Sequence, residues 1–203
     1  MIINWYGEGC FKIQTSGLTI VTDPFDSKIG LNPPRGSFDI TLKTLTPWPL
    51  QEEEFSVVIG SGEYEIKGIS IKGFPLQKES SENFIKTVYR VEAENISLGF
   101  LGHLSDQLPA DALEILNDVN VLFVPAAGKP FIDQTKLTKL LKQIKPRIVV
   151  GSFFKVPKLK RTTEDFKKLV NETGLKLEQL EKLSIRKKEV TDQKGTKFVV
   201  LKL

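Results

Sequence analysis

Ile2-Ile3-Asn4-Trp5-Tyr6-Gly7-Glu8-Gly9-Cys10-Phe11-Lys12-Ile13-Gln14-Thr15-Ser16-Gly17-Leu18-Thr19-Ile20-Val21-Thr22-Asp23-Pro24-Phe25 is the stretch that decides the fold class. Short apolar runs, Ile2–Tyr6, Cys10–Thr15 and Leu18–Thr22, are separated by Gly7, Gly9 and Ser16-Gly17. That is the pattern of strands joined by tight reversals. Working outward, Phe55–Ile59, Tyr64–Ile66, Ile69–Phe74, Phe84–Val91 and Ile96–Leu101 continue the β pattern, with reversals expected at Gly62-Glu63 and Glu94-Asn95. The second half alternates instead. Pro109 suits a first helical position before Ala110–Leu116. Asn120–Pro125 reads as a buried strand. Asp133 can cap a helix running to Lys145, with Leu137, Leu140, Leu141 and Ile144 at helical spacing. Ile148–Phe153 is a further strand. Thr163 can cap a third helix that Gly174 ends. Ser184–Thr191 and Lys197–Leu203 read as a closing hairpin around Gln193-Lys194-Gly195. Strands followed by alternating helices and strands suit a layered α/β domain, expected to span 1–203 as one unit.

Composition narrows the function classes. The chain has 203 residues, 40% of them apolar and 27% charged, as in soluble globular proteins. It has no apolar run that could cross a bilayer, and no basic segment precedes the apolar residues at its start, so neither a membrane nor a secretory role is expected. The single cysteine, Cys10, excludes an internal disulfide and favours a cytoplasmic setting. Residues 1–154 carry 15 Lys/Arg and 18 Asp/Glu, a net of −3, whereas residues 155–203 carry 14 and 7, a net of +7. That basic segment reads as a lysine-rich solvated face, with nucleic-acid binding through 155–203 as the alternative. No aromatic residue interleaves Arg186-Lys187-Lys188 to stack on bases. There is no Gly-x-Ser-x-Gly elbow, and Gly60-Ser61-Gly62 lacks the lysine and spacing of a phosphate loop.

Four ordered segments carry a family resemblance. Residues Ile3 to Ile13 resemble the opening of metallo-β-lactamase-fold hydrolases of the ascorbate-phosphate lactonase branch, which read Gly-His-Ser-Cys-Phe there. Thr22-Asp23-Pro24 resembles their Thr-Asp-Pro turn, and Gly62-Glu63-Tyr64-Glu65 their Gly-Glu-Tyr-Glu segment. Leu101-Gly102-His103-Leu104 with Pro125-Ala126-Ala127-Gly128 resembles their Leu-Gly-Asp-Leu and Pro-Val-Gly-Gly pair. The resemblance covers roughly residues 1–155 and implies an αββα sandwich, two facing mixed sheets with helices outside. In that family a His-x-His-x-Asp-His loop gathers metal ions, which acidify a bound water into a nucleophile.

This chain departs from the family where the chemistry lies. After the strand Phe38–Leu42 the loop reads Thr44-Leu45-Thr46-Pro47-Trp48-Pro49. On the resemblance, Thr44 and Thr46 stand at histidine positions, Trp48 at the aspartate and Pro49 at the last histidine. Glu8 replaces an early histidine, His103 an aspartate, and Phe153 falls where a late histidine is expected. With one histidine in the chain, no metal and no cofactor are expected.

The residues left in the vacated cleft are His103, Glu8, Asp23 and Glu63 as candidate polar groups, with Thr44, Thr46, Trp48 and Phe153 lining it. His103 can serve as an acid or base, or be a hydrogen-bonded ring filling the space left by the metal. Asp23 is expected to cap the turn that Pro24 fixes, and Cys10 to be a small core residue. Trp48 is expected to plug the cleft or meet a ligand. The leading functional expectation is a metal-free, catalytically inactive relative that binds or scaffolds, with a protein as one possible partner. The alternatives are a rebuilt, metal-independent hydrolase around His103 and a nucleic-acid-associated protein.

Overall fold

The computed structural model describes residues 1–50, 57–161 and 164–203. In chain order its strands and helices are β1 (Ile2–Gly7), β2 (Cys10–Thr15), β3 (Leu18–Thr22), β4 (Ile40–Lys43), β5 (Leu45–Pro47), β6 (Val57–Ile59), β7 (Gly62–Ile66), β8 (Ile69–Pro75), β9 (Phe84–Ala93), β10 (Ile96–Phe100), α1 (Ala110–Leu116), β11 (Val121–Pro125), α2 (Gln134–Ile144), β12 (Ile148–Ser152), α3 (Lys167–Thr173), β13 (Lys176–Leu180), β14 (Leu183–Ser184), α4 (Lys187–Asp192) and β15 (Lys197–Leu201).

The strands form two mixed sheets. One runs β14-β1-β2-β3-β4-β6, antiparallel as far as β3 and parallel from there. The other runs β13-β15-β12-β11-β10-β9-β8-β7, antiparallel from β7 to β10 and parallel beyond, with β5 paired to β9. Period-2 burial in β1 and β2 sends Ile3, Trp5, Phe11 and Ile13 inward. They meet the second sheet directly: the Phe11 and Phe123 rings lie 4.6 Å apart, and Trp5 lies 4.7 Å from Phe154. Ile20, Val121 and Val149 are also fully buried, in a core cluster that draws on both sheets. The parallel strands β11 and β12 are buried along their whole length, as parallel strands covered on both faces are. α2 follows its expectation closely. Asp133 accepts from the Thr135 and Lys136 amides, and Leu137, Leu140, Leu141 and Ile144 are buried.

Three local expectations are corrected. The tight reversal lies before Gly62-Glu63, which belong to β7. α3 starts at Lys167 with no side-chain cap, and Thr163 lies outside the described residues. Residues 55 and 56 of the strand expected at Phe55–Ile59 also lie outside them. The closing hairpin does not form. Ser184 pairs with β1, residues 187–192 are helical, and β15 runs parallel between β12 and β13. Glu189 accepts from the Arg186 amide and so starts the helix that breaks the expected strand.

Candidate functional site

The cleft is assembled from loops at one end of the sandwich. The β1–β2 turn supplies Glu8, the end of β3 supplies Asp23, and the β4–β5 junction supplies Thr44. His103 follows β10, Phe153 follows β12, and Arg161 lies on the loop before α3. Three of these residues hold left-handed backbone: Glu8 (φ 51°), Asp23 (φ 38°) and Phe153 (φ 57°). A bulky residue such as phenylalanine is rarely found there, and such conformations gather where surrounding structure imposes them. The imposing contacts are visible. Glu8 O accepts from the Trp5 indole at 3.0 Å and from the Phe153 amide at 3.2 Å. Gly9 is required beneath them, because a Cβ there would come within 2.5 Å of the Phe153 ring and 2.8 Å of Asp23 Oδ2.

Asp23, Thr44 and His103 form a hydrogen-bonded chain. Asp23 Oδ1 accepts from the Thr44 amide at 2.6 Å, and Asp23 Oδ2 accepts from Thr44 Oγ1 at 2.6 Å. Thr44 Oγ1 also lies 2.8 Å from His103 Nδ1, while His103 and Asp23 themselves stay 3.9 Å apart. Gly102 admits the threonine, since a Cβ at that position would lie 2.2 Å from Thr44 Oγ1. Burial pushes the Asp23 carboxyl up to about 7, against the Thr44 and Leu45 hydrogen bonds that pull it down. Burial, then the Lys86 and Arg161 charges, push the imidazole down to about 4. Burial, then Asp23, also raises the Cys10 thiol, which makes it inert as a nucleophile.

The outer part of the cleft is ionic and aromatic. Arg161 pairs with Glu8 through Nη2–Oε2, and its guanidinium lies 4.8 Å from the Phe131 ring centroid. Lys86 donates to Glu79 at 3.0 Å and to Ser105 Oγ at 2.8 Å. Although burial opposes its ionisation, Glu79 is held below the usual carboxylate range by hydrogen bonds from Ser105, Lys86 and Asp106. Phe153 packs edge-on against His103 at 4.8 Å and against Phe131 at 4.5 Å. A cavity of about 310 Å³ is bounded by Glu8, Lys86, His103, Pro130, Phe131, Phe153 and Arg161. Beneath it, the space among Gly9, Thr22, Asp23, Thr44 and Phe153 is about 10 Å³, room for one water at most.

Residues 2–151 match the model of the beta-lactamase superfamily domain. The chain belongs to that superfamily. A Thermotoga maritima protein assigned as a Zn-dependent hydrolase of the metallo-beta-lactamase superfamily is similar over 98% of this chain and 97% of its own, at 25% identity and TM-score 0.81. A metallo hydrolase of Ignicoccus hospitalis is 13% identical over 85% of this chain and 90% of its own, with a TM-score of 0.61. A protein of Parabacteroides distasonis ATCC 8503, assigned as a metal-dependent hydrolase, is 12% identical over 99% and 92%, also at 0.61. These last two show the shared fold. No curated protein sequence matches the chain.

The metal implied by the superfamily can be tested against the donors present. Zinc sites gather three or four Cys, His or carboxylate ligands. Here the inner cleft offers one imidazole and one carboxylate with a threonine hydroxyl between them, and Glu8 is taken by Arg161. Among the described residues no three His, Cys, Asp or Glu side chains cluster to hold an ion. The residues do not fit the metal.

The structure brings together Glu8, Asp23, Thr44, His103 and Phe153, and leaves three other expected residues outside. Glu63 is exposed on the edge strand β7, paired with Lys72 at 2.9 Å. Trp48 is 47% exposed and its amide bonds to Asn83 O, so it covers neither Asp23 nor His103. Thr46 is buried in the β5–β9 pairing and lines neither cavity. Sequence reasoning missed Lys86, Arg161 and Phe131. Lys86 carried only a weak signal, since Thr87 and Arg90 also interrupt the apolar residues of Phe84–Val91. Arg161 had none, lying 153 positions from its partner Glu8.

Proposed function

We propose that this superfamily member is a metal-independent binding protein whose cleft no longer supports hydrolysis. The observation that carries the reading is the Thr44 hydroxyl seated between Asp23 and His103 under the Phe153 ring. It uses the two remaining candidate ligands against each other and leaves no room for an ion and its water. The hydrolase assignments of the Thermotoga, Ignicoccus and Parabacteroides proteins then describe ancestry. The lone, buried Cys10 supports a cytoplasmic setting, and no helix among the described residues is long and apolar enough to cross a membrane.

A rebuilt hydrolase is the second reading, favoured by the same relay because it orients the imidazole. Against it, a ring pushed down to about 4 is a weak base at neutral pH. The one hydroxyl shown against it, Thr44 Oγ1 at 2.8 Å, is buried and donates to Asp23, so it is not offered to a substrate as a nucleophile. Elemental analysis of the purified protein, with ester, phosphodiester and lactone hydrolysis screens of wild type and His103→Ala, separates the readings. The binding reading expects no stoichiometric metal and no turnover. Turnover lost on His103→Ala supports the rebuilt hydrolase, and a chelator-resistant ion held at Asp23 and His103 refutes both.

A further inference from the structure

The relay fixes which proton each atom carries. Thr44 has one hydroxyl proton and two neighbours that could take it. Asp23 Oδ2 lies at 2.6 Å and is the anionic acceptor, so the proton goes there. The Thr44 oxygen is then left with lone pairs facing His103 Nδ1 at 2.8 Å, and Nδ1 must be the donor. A neutral ring with its proton on Nδ1 has a bare lone pair on Nε2. That nitrogen has no hydrogen-bond partner among the described residues, and His103 forms part of the wall of the 310 Å³ cavity. Lys86 and Arg161 flank the same cavity, and both act electrostatically on the imidazole. Their side chains are 13% and 33% exposed, so their field is poorly screened there.

The cavity therefore presents two cations, each paired with a carboxylate of its own (Arg161 with Glu8, Lys86 with Glu79), beside the Nε2 acceptor. A fully deprotonated oxyanion satisfies the cations but sets oxygen lone pairs against Nε2. An oxyanion that keeps a hydroxyl satisfies all three. The volume is at the lower end for small-molecule sites, which limits the ligand to a few heavy atoms unless part of it stays in solvent.

We propose that this cavity binds a small oxyanion bearing one hydroxyl proton, with the anionic oxygens toward Lys86 and Arg161 and the hydroxyl donating to His103 Nε2. Hydrogen phosphate and short α-hydroxycarboxylates share this chemistry. The proposal rests on the reading of the cleft as a metal-free binding site. It adds the ligand class and a selection rule, because a site built to accept a ligand's hydroxyl rejects the analogue that lacks it.

The test uses the intact chain at about pH 8, where Asp23 is ionised. Inorganic phosphate is titrated against sulfate, and glycolate against acetate, by calorimetry. His103 is the sole histidine, so ¹⁵N NMR of the imidazole reads its tautomer without assignment ambiguity. The expected results are the Nδ1–H tautomer and at least about a tenfold preference for phosphate over sulfate and for glycolate over acetate.

Asp23→Asn reverses the relay. Its amide donates to Thr44, Thr44 donates to Nδ1, and Nε2 becomes a donor. The variant should show the Nε2–H tautomer and bind sulfate at least as well as phosphate. Lys86→Met should weaken all four anions together. Equal binding of phosphate and sulfate by wild type, no binding of any probe, or an Nε2–H tautomer in wild type would overturn the proposal. A phenyl phosphate arm separates free oxyanions from esters: the ester dianion has no hydroxyl and should bind like sulfate. Metal content and hydrolysis measured on the same samples judge the metal-free reading independently, so either can fail without the other.

Discussion

Asp23→Asn should make the protein relatively more stable as pH rises from about 4 to about 7, by about 4 kcal/mol against wild type. The Asp23 carboxyl moves from an ordinary value of 3.8 to about 7 on folding, and each tenfold change in proton affinity is worth about 1.4 kcal/mol. Because the folded value is raised, the folded state holds the proton more tightly. The stabilisation is complete below the unfolded value and is lost as pH climbs through the folded one. His103 works the other way. It falls from 6.5 to about 4, so its contribution of about 3 kcal/mol is absent near pH 4 and complete above 6.5. The two effects share a window and oppose each other, so wild type should show little net slope from this pair. Asp23→Asn leaves the histidine slope exposed, and His103→Gln leaves the aspartate slope exposed, with stability falling as pH rises. The groups facing the pair do not interfere. Cys10 and Tyr89, both raised by burial, ionise far above the window. Carboxylates depressed elsewhere, such as Glu79 and Glu178, cancel in the difference from wild type. Urea denaturation of the three proteins at half-unit pH intervals measures it. Difference curves flat to within about 0.5 kcal/mol would refute the reasoning.

Three further outcomes follow from the same geometry. Gly9→Ala should cost about 1–3 kcal/mol in denaturant melts, because its methyl group meets the Phe153 ring at 2.5 Å and Asp23 Oδ2 at 2.8 Å. Phe153→Ala should cost about 3 kcal/mol and shift the His103 ring resonances, whereas Trp48→Ala, at a half-exposed position, should stay within about 0.5 kcal/mol and leave them unmoved. Saturating Zn²⁺ should not raise the melting temperature in calorimetry, since a ligand without a native-state site adds no stability.

The first-half strands were legible because their signal is local. Cys10-Phe11 and Ile13 alternate with Lys12 and Gln14, and the pairing partners Ile3–Trp5 lie one turn away. The C-terminal region failed for the opposite reason. Lys197–Leu201 sits beside an apparent turn, yet its partners are Ile148–Val150 and Lys176–Leu180, reached by parallel crossovers that no dipeptide announces. Lys176–Leu180 itself was missed because an edge strand that carries Lys176, Glu178 and Gln179 shows only partial apolar character. In the cleft, position by position comparison with the family placed Asp23, Thr44, His103 and Phe153. It could not reveal Lys86 or Arg161, because neither stands at a position where the resemblance assigns a ligand.

Those two cations explain how the cleft stays folded. A pocket shaped to surround metal charge cannot simply lose the metal, since each remaining carboxylate would be buried without compensation. Every acid in this cleft has instead been given its own partner. Glu8 has Arg161, Glu79 has Lys86 and Ser105, and Asp23 has the Thr44 amide and hydroxyl. Thr44 serves Asp23 only because Gly102 leaves space for it, and Gly9 lets Phe153 close over both. Putting a single histidine back at Thr44 would therefore not restore a metal site. It would remove the hydroxyl that satisfies Asp23, press a larger ring against Gly102, and still supply too few donors. Thr44→His should lower stability and bind zinc no better than wild type, which equilibrium dialysis would measure. Tight zinc binding by this one variant would mean that the relay is a thin covering over an intact metal site, and the metal-free reading of the cleft would fall with it.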